Sequence, residues 1–209
     1  MNGPAPSSHR MSPDTARIIT LPRTCERALL ERFLRAEAMA LWSVRAAQTQ
    51  RLPRHVQIFL QRHESEEQAH LRQFESMLGA TSQRPPTLPT VPSQWEALAV
   101  HLFGYEALGL EFALLLAILR PNLSEILEDE LVHVGFFEKE LAFILAGEAM
   151  RADQARQTGR AWWKKLPRTV DRYLADDSLA PYRSELRPHI LSAIETRFIA
   201  LGLLPQPIV

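Results

Sequence analysis

The chain is poor in cysteine, with Cys25 as the only one in 209 residues. A single cysteine cannot form an intramolecular disulfide, and without a Cys-x-x-Cys pair this sequence carries no rubredoxin-like iron centre. We interpret Cys25 as a small buried residue or as part of a fraying helix end, rather than as a nucleophile.

Net charge and long hydrophobic runs are lacking as well. Lys and Arg total 24, as do Asp and Glu, so the overall charge does not suggest an electrostatic nucleic-acid binder, although it is compatible with a local basic patch.

No window approaches the roughly 18 uninterrupted apolar residues of a membrane-spanning helix, and the most apolar stretch, residues 107–119, is interrupted by Glu111. The first 14 residues lack the apolar core of a signal peptide. We therefore expect a cytoplasmic protein without a membrane span.

What the chain does contain is two copies of Glu-x-x-His, one from Glu67 to His70 and one from Glu130 to His133. Random placement of 18 Glu and 7 His would produce about 0.6 such motifs in a chain of this length. On a helix, residues three apart share a face, so each copy can present a carboxylate and an imidazole to the same point. Two such helices, with one glutamate from each of two others, are typical of a di-iron or di-manganese site in a four-helix bundle. The competing interpretation is a pair of surface helices with solvated histidines.

The surroundings of the two motifs repeat too. Each motif is followed by an aliphatic residue and then by Phe-Glu, and each is preceded by an acidic residue, Glu66 or Asp129. Upstream, Glu37 begins Glu-Ala-Met-Ala-Leu 30 residues before the first motif, and Glu106 begins Glu-Ala-Leu-Gly-Leu 24 residues before the second. We therefore interpret the chain as two copies of one helical hairpin, each carrying half of a metal site.

The apolar patterning predicts an all-α protein in which one bundle carries both motifs. Residues 1–22, with four prolines, are expected to form a flexible N-terminal arm. Residues 23–147 are predicted to form a di-metal four-helix bundle. Its helices are predicted over about residues 24–50, 53–78, 95–119 and 122–147.

A proline-rich linker separates the two predicted hairpins. Residues 80–94 contain four prolines, and in an extended form they could cover roughly 45 Å. We interpret this linker as the long crossover of a ferritin-like fold, which leaves the second and third helices parallel. A hinge between two domains is the weaker alternative, because each half alone would expose half a metal site.

Residues 148–209 are predicted to form a helical extension packed on the bundle. One helix is expected over about residues 151–166, ending at Pro167, and another over about residues 183–203. Trp162, Trp163 and Tyr173 are interpreted as packing anchors of this extension.

The third helix offers two candidate ligands, Glu106 and Glu111. They are five residues apart, about 140° around a helix, so only one of them can face the site. The hairpin midpoint favours Glu111, whereas the repeat favours Glu106, which heads the second Glu-Ala-apolar-small-Leu segment. We prefer the repeat and predict Glu106 as the ligand, with Glu111 as the alternative.

With these residues in place, the sequence resembles the ferritin-like di-iron carboxylate superfamily over about residues 24–147. The superfamily includes tRNA hydroxylases, demethoxyubiquinone hydroxylases, aldehyde-deformylating oxygenases, arylamine N-oxygenases, rubrerythrins and ferritins. The resemblance implies one metal bound by Glu37 and His70, a second bound by Glu106 and His133, and two bridging carboxylates. The implied bridges are Glu67 and Glu130. It also implies two iron ions, with manganese or a mixed pair as alternatives.

Two further residues are candidates for the same site. Arylamine N-oxygenases carry an extra histidine ligand one turn before a Glu-x-x-His, and His63 stands one turn before Glu67. His63 is therefore either a seventh ligand or a satisfied interior histidine. Tyr105, beside Glu106, is a candidate redox or proton-donating residue, and the alternative is a packed ring with a bonded hydroxyl.

The expected function is that of an O2-dependent di-iron oxygenase or oxidase acting on a small organic substrate. It would use O2 and an external electron donor as partners, and a homodimer is a further expectation. Two alternatives stay open. The chain could oxidise iron or detoxify peroxide in the manner of ferritin or rubrerythrin, or it could be a structural bundle whose metal is inert to O2.

Overall fold

The computed structural model describes residues 19–79 and 90–206. Within these ranges the chain is helical and contains no strand, which confirms the predicted all-α fold. The α-helices are α1 (Glu26–Gln48), α2 (Arg54–Leu78), α3 (Trp95–Leu119), α4 (Ser124–Ala146), α5 (Ala149–Tyr173) and α6 (Arg183–Leu201). Short 3-10 turns precede α1, α4 and α6 at Arg23–Cys25, Pro121–Leu123 and Asp177–Tyr182.

Contacts at the helix ends show that α1 and α3 are antiparallel. Arg120, just after α3, forms an ion pair with Glu26 at the start of α1. At the other end, Gln50 Nε2, just after α1, donates a 2.6 Å hydrogen bond to the carbonyl of Pro92, just before α3. The end of α1 therefore lies beside the start of α3.

Contacts between α2 and α4 show the same antiparallel relation. His55 Nε2 at the start of α2 lies 2.6 Å from Glu140 Oε1 near the end of α4, and His70 contacts Asp129 towards the opposite ends. Since α1 and α2 also form an antiparallel hairpin, α2 and α3 run in the same direction. The predicted crossover would join their opposite ends, but most of it, residues 80–89, lies outside the described residues.

The most apolar helix, α3, is the centre of the molecule. By length and composition it is the one described helix that could cross a membrane, yet 72% of its apolar 18-residue window is buried within the protein. Neighbouring helices cover it on several sides, since α1, α4, α5 and α6 all contact it. A helix that is apolar all round is expected at such a central position.

The C-terminal helices α5 and α6 pack on α3 and α4. The Trp162 ring stacks on Phe198 of α6 at a centroid distance of 5.2 Å and lies directly over Gly104 of α3. A Cβ at Gly104 would be 2.3 Å from the indole, so this close approach of α5 to α3 requires glycine. Tyr173 packs on Phe112 at 5.2 Å.

The predicted end of the fifth helix before Pro167 is wrong, because α5 continues to Tyr173. Proline removes one backbone donor, which would have bonded to the carbonyl of Trp163. Leu166 and Val170, on either side of the proline, are buried against the bundle. The packing of that apolar face outweighs the loss of a single hydrogen bond, so the helix is not interrupted.

Candidate metal centre

The polar residues predicted as ligands all lie inside the bundle. Each comes from the middle of its helix, and none is more than 5% exposed. The buried acidic and imidazole side chains are Glu37 (α1), His63, Glu67 and His70 (α2), Glu106 and Glu111 (α3), and Glu130 and His133 (α4).

Seven of these eight side chains form two clusters, in each of which four ligand atoms lie within 4.8 Å of one another. The first, called here the Glu37 set, consists of Glu37, Glu67, His70 and Glu130. The second, called here the Glu106 set, consists of His63, Glu67, Glu106 and His133. Glu67 belongs to both sets, and either set could hold a metal ion.

One close pair within the sets, His63 Nε2 and Glu67 Oε1 at 3.1 Å, is a hydrogen bond, and other ligand atoms lie further apart. In the Glu37 set, His70 Nδ1 lies 3.6 Å from Glu37 Oε2 and 3.9 Å from Glu130 Oε1. In the Glu106 set, His133 Nδ1 lies 3.5 Å from Glu67 Oε1. Two ligand atoms at right angles and about 2.1 Å from one ion would be about 3 Å apart, so a small contraction would suffice for coordination.

The centre also contains most of the unsatisfied polar atoms of the described residues. Eight buried side-chain atoms of the described residues lack a hydrogen-bond partner. Seven of them belong to the two sets, and the eighth is Ser43 Oγ. The seven are one oxygen each from Glu37, Glu67, Glu106 and Glu130 and the Nδ1 atoms of His63, His70 and His133. Unpaired buried polar atoms are costly and uncommon in folded proteins. Their concentration in two sets of ligand side chains is compatible with cations as the missing partners.

The tautomers of two histidines are set by acidic residues of the opposite motif. Glu66, which precedes the first motif, accepts from His133 Nε2 at 2.9 Å, and Asp129, which precedes the second, accepts from His70 Nε2 at 3.1 Å. With Nε2 donating outwards, each ring turns its Nδ1 atom towards the centre, where it could bind a metal once deprotonated. Both acids belong to the sequence repeat, but their pairing with the histidine of the other motif is visible only in the structure.

Burial dominates the electrostatics of the carboxylates. It raises the pKa of Glu37, Glu67 and Glu130 well above the usual value, and the like charges of neighbouring carboxylates add to the rise for Glu67 and Glu130. Protons are therefore retained by these groups until positive charge is supplied. A divalent cation would supply that charge and displace the protons.

The Glu106 set has a different balance, because it contains two imidazoles. Burial would raise the pKa of Glu106, but the charge of His63 and a hydrogen bond from His133 outweigh burial and lower the pKa to about 2. Burial would lower the pKa of His133, but hydrogen bonds to Glu106 and Glu66 outweigh it and raise the pKa to about 11. A metal entering this set therefore competes with a proton on an imidazole.

Glu111 lies outside both sets. Its carboxylate faces α6, where Oε2 is 3.9 Å from His189 Nε2, while Glu106 faces the centre on the other side of α3. Burial raises the pKa of Glu111 to about 7, although the charge of Arg197 opposes the rise. The structure therefore brings Glu106, and not Glu111, together with the other candidate ligands.

Tyr105 packs on the side of α3 that faces α5. Its ring contacts Trp162 at a centroid distance of 6.5 Å and His101 at 6.2 Å, on the α5 side of α3. Burial raises the pKa of its hydroxyl. These contacts describe a packed ring at the interface of α3 and α5, next to the candidate ligand Glu106 in sequence.

A glycine and a pair of aromatic rings shape the space around the centre. A Cβ at Gly109 would lie 3.0 Å from Glu130 Oε2, so this small residue of the repeat leaves room for a carboxylate. On the α2–α4 side, Phe59 stacks on Phe136 at 3.5 Å and lies 5.5 Å from the His63 ring. Two stacked aromatic rings therefore line the α2–α4 side of the Glu106 set.

Comparisons with protein-family models, with curated proteins and with solved structures find no match to this chain.

Proposed function

We propose that this chain is an O2-dependent di-iron oxygenase or oxidase of the ferritin-like superfamily, acting on a small organic substrate. The observation that carries the proposal is the pair of adjacent buried ligand sets, which share Glu67 and contain seven of the eight unsatisfied buried side-chain atoms of the described residues. Four helices contribute these atoms, and their antiparallel and parallel relations are compatible with a ferritin-like bundle.

The chemistry of the donors fits two divalent iron ions. Carboxylate oxygens and imidazole nitrogens suit iron or manganese, and the sets contain no thiolate. Four carboxylates would balance the charge of two divalent ions. Burying the carboxylates together with the ions would therefore cost much less free energy than burying the carboxylates or the ions alone. In this assignment Glu37 and His70 hold one ion, Glu106, His133 and His63 hold the other, and Glu67 contacts both. Glu130 completes the Glu37 set.

When bound, a pair of ferrous ions supplies electrons for the reduction of O2 and so permits oxidation of an organic substrate. The protein's own part is to position and to shield. Glu66 and Asp129 hold two imidazoles with Nδ1 facing the centre, and the stacked rings of Phe59 and Phe136 limit the entry of water. An apolar wall of this kind favours a substrate with an apolar surface near the reacting position.

The first test is the metal content together with anaerobic loading of Fe(II), followed by mixing with O2. We expect about two irons per chain and rapid consumption of O2. Product analysis then separates the functions: a modified organic compound supports the oxygenase, whereas iron oxidation alone supports the ferritin or rubrerythrin alternative. Bound iron that does not react with O2 would contradict the proposal and leave a structural metal.

The two acids of α3 provide a matched pair of variants for this test. Glu106→Gln removes a carboxylate from the Glu106 set and is expected to bind only one iron tightly. Glu111→Gln makes the same chemical change on the same helix but outside both sets, so it is expected to retain two. The reverse result would show that Glu111 is the ligand.

A further inference from the structure

The fifth helix carries a concentration of positive charge that the metal centre does not explain. Within α5 (Ala149–Tyr173) there are seven Lys or Arg and two Asp, a net charge of +5, in a chain whose total net charge is zero. Five of the cations recur at intervals of four residues. These five, called here the α5 ladder, are Arg156, Arg160, Lys164, Arg168 and Arg172.

The ladder forms a continuous solvent-facing stripe. Residues four apart on a helix are neighbours on one face, and 16 residues of helix span about 24 Å. All members are exposed except Arg156, which is half-buried. Lys165, also exposed, lies beside Lys164 and widens the stripe.

Little within the described part of the chain neutralises this stripe. Arg156 pairs with Asp153 at 3.2 Å, and Arg172 donates to the hydroxyl of Thr169. Arg160, Lys164 and Arg168 have no ion pair with a described carboxylate. Like charges four residues apart destabilise a helix, so an unneutralised ladder is a cost that an acidic partner would remove.

The buried face of the same helix leads towards the metal centre. Trp162 lies directly over Gly104, two residues before Glu106, and its ring contacts Tyr105, one residue before Glu106. The cationic stripe lies on the solvent side of α5, and Trp162 and Tyr105 lie between the opposite side of α5 and the α3 segment that carries Glu106.

We propose that the α5 ladder is the docking surface for an acidic one-electron carrier protein, which delivers electrons to the metal centre by way of Trp162 and Tyr105. This inference rests on the proposed function, because an oxygenase needs the electrons.

Insertion of one oxygen atom consumes one O2, two protons and two electrons besides the substrate, and yields the oxidised substrate and one water. Two docking events of a reduced carrier supply the two electrons, and each oxidises one carrier.

An acidic protein fits the ladder better than a nucleic acid does. The chain as a whole is neutral, so the long-range attraction to a polyanion is weak away from this stripe. The aromatic contacts between α5 and the α3 segment that carries Glu106 have a purpose for an electron carrier and none for a nucleic acid.

The test uses the full-length, iron-loaded protein and two acidic carriers, a plant-type [2Fe–2S] ferredoxin and a flavodoxin. Binding is measured anaerobically against ionic strength, and electron delivery is measured as oxidation of the reduced carrier in stopped flow. The variant is the double reversal Lys164→Glu and Arg168→Glu. The control is Arg54→Glu with Arg72→Glu, which changes net charge equally at two exposed positions of α2.

We expect binding that weakens with salt, and an association rate that falls by about tenfold or more in the ladder variant and by less than about twofold in the control. Absence of salt-dependent binding to both carriers, or equal losses in both variants, would overturn the inference. So would ladder-dependent binding of a 20-nucleotide RNA without binding of either carrier. Reaction of the iron-loaded ladder variant with O2 after chemical reduction tests the proposed function separately, since that reaction needs no docking.

Discussion

The two ligand sets differ in composition although they come from a repeated hairpin. The Glu37 set has three carboxylates and one imidazole, whereas the Glu106 set has two of each. The extra imidazole is His63, one turn before the first motif, and the corresponding position before the second motif is Ile126. Two helical hairpins of similar sequence have thus produced two unequal ligand sets, one richer in carboxylates and one richer in imidazoles.

This difference bears on how each position would behave without metal. In the Glu37 set, burial keeps protons on carboxyl groups, as the raised pKa values of Glu37 and Glu130 indicate. In the Glu106 set, the proton resides on His133, opposite an ionised Glu106. Metal binding must displace protons from both sets, but from different kinds of group.

The largest expected effect comes from the residue that the two sets share. Glu67→Ala should reduce the metal content from about two ions per chain to near zero, because both positions lose a ligand. Glu37→Ala should remove only the ion of its own set. Metal analysis after gel filtration measures the metal content of both variants. The exposed Glu128→Ala of α4 is the control, and circular dichroism checks that the variants fold.

Glu130→Ala sharpens the same comparison. The resemblance implies that Glu130 bridges, whereas the geometry places it in the Glu37 set alone. Loss of one ion would agree with the geometry. Loss of both would show that Glu130 moves to bridge when metal is present.

The next effect concerns the imidazole that makes the sets unequal. His63→Ile copies the residue found at the matching position of the second repeat, and it should weaken binding in the Glu106 set by about tenfold or more. Competition with a chelator during stepwise Fe(II) titration would resolve the two affinities. If both affinities were unchanged, His63 would be a satisfied interior histidine and not a ligand.

A smaller effect is expected from the two acids that orient the histidines. Replacing the acid of one motif should weaken metal binding through the histidine of the other motif. Glu66→Gln adjoins Glu67 in sequence but supports His133, so it should weaken the Glu106 set by roughly tenfold. Asp129→Asn should weaken the Glu37 set through His70. The same chelator competition tests both variants, and a loss confined to the set of the adjacent motif would contradict the observed pairing.

The last comparison separates Glu111 from Glu106 through stability rather than through metal binding. The folded pKa of Glu111 is raised to about 7, so between its ordinary pKa of 4.5 and 7 the folded protein binds more protons than the unfolded chain. Stability attributable to this group therefore falls as the pH rises through that window. Glu111→Gln should be more stable than wild type at pH 8, by on the order of 2 kcal/mol, and similar at pH 5.

Urea unfolding of the two proteins at both pH values measures this difference. The exposed Glu128→Gln serves as the control, since its carboxylate is solvated in both states. Equal stability differences at pH 5 and pH 8 would show that Glu111 does not titrate in this window.

Much of the helical fold was predictable because its signals are local. Glu67 and His70 are three residues apart, as are Glu130 and His133. This spacing places two metal-ligand side chains on one face of each helix, whatever packs against that face. Charged residues in the middle of apolar stripes, such as Glu37, indicate a buried polar site, since otherwise they would be too costly. The end of α5 was not predictable in this way, because packing on both sides of Pro167 overrides the local preference of proline.

The sequence alone determined the all-α class, the residue types of the centre and the motif spacing, since these depend only on contacts within a helix. Only the tertiary structure decided which donors meet. The rotation of α3 placed Glu106 in the centre and turned Glu111 towards α6. The antiparallel register of α2 and α4 paired Glu66 with the histidine of the other motif. Both depend on how the side chains of several helices pack together, and no single segment contains that information.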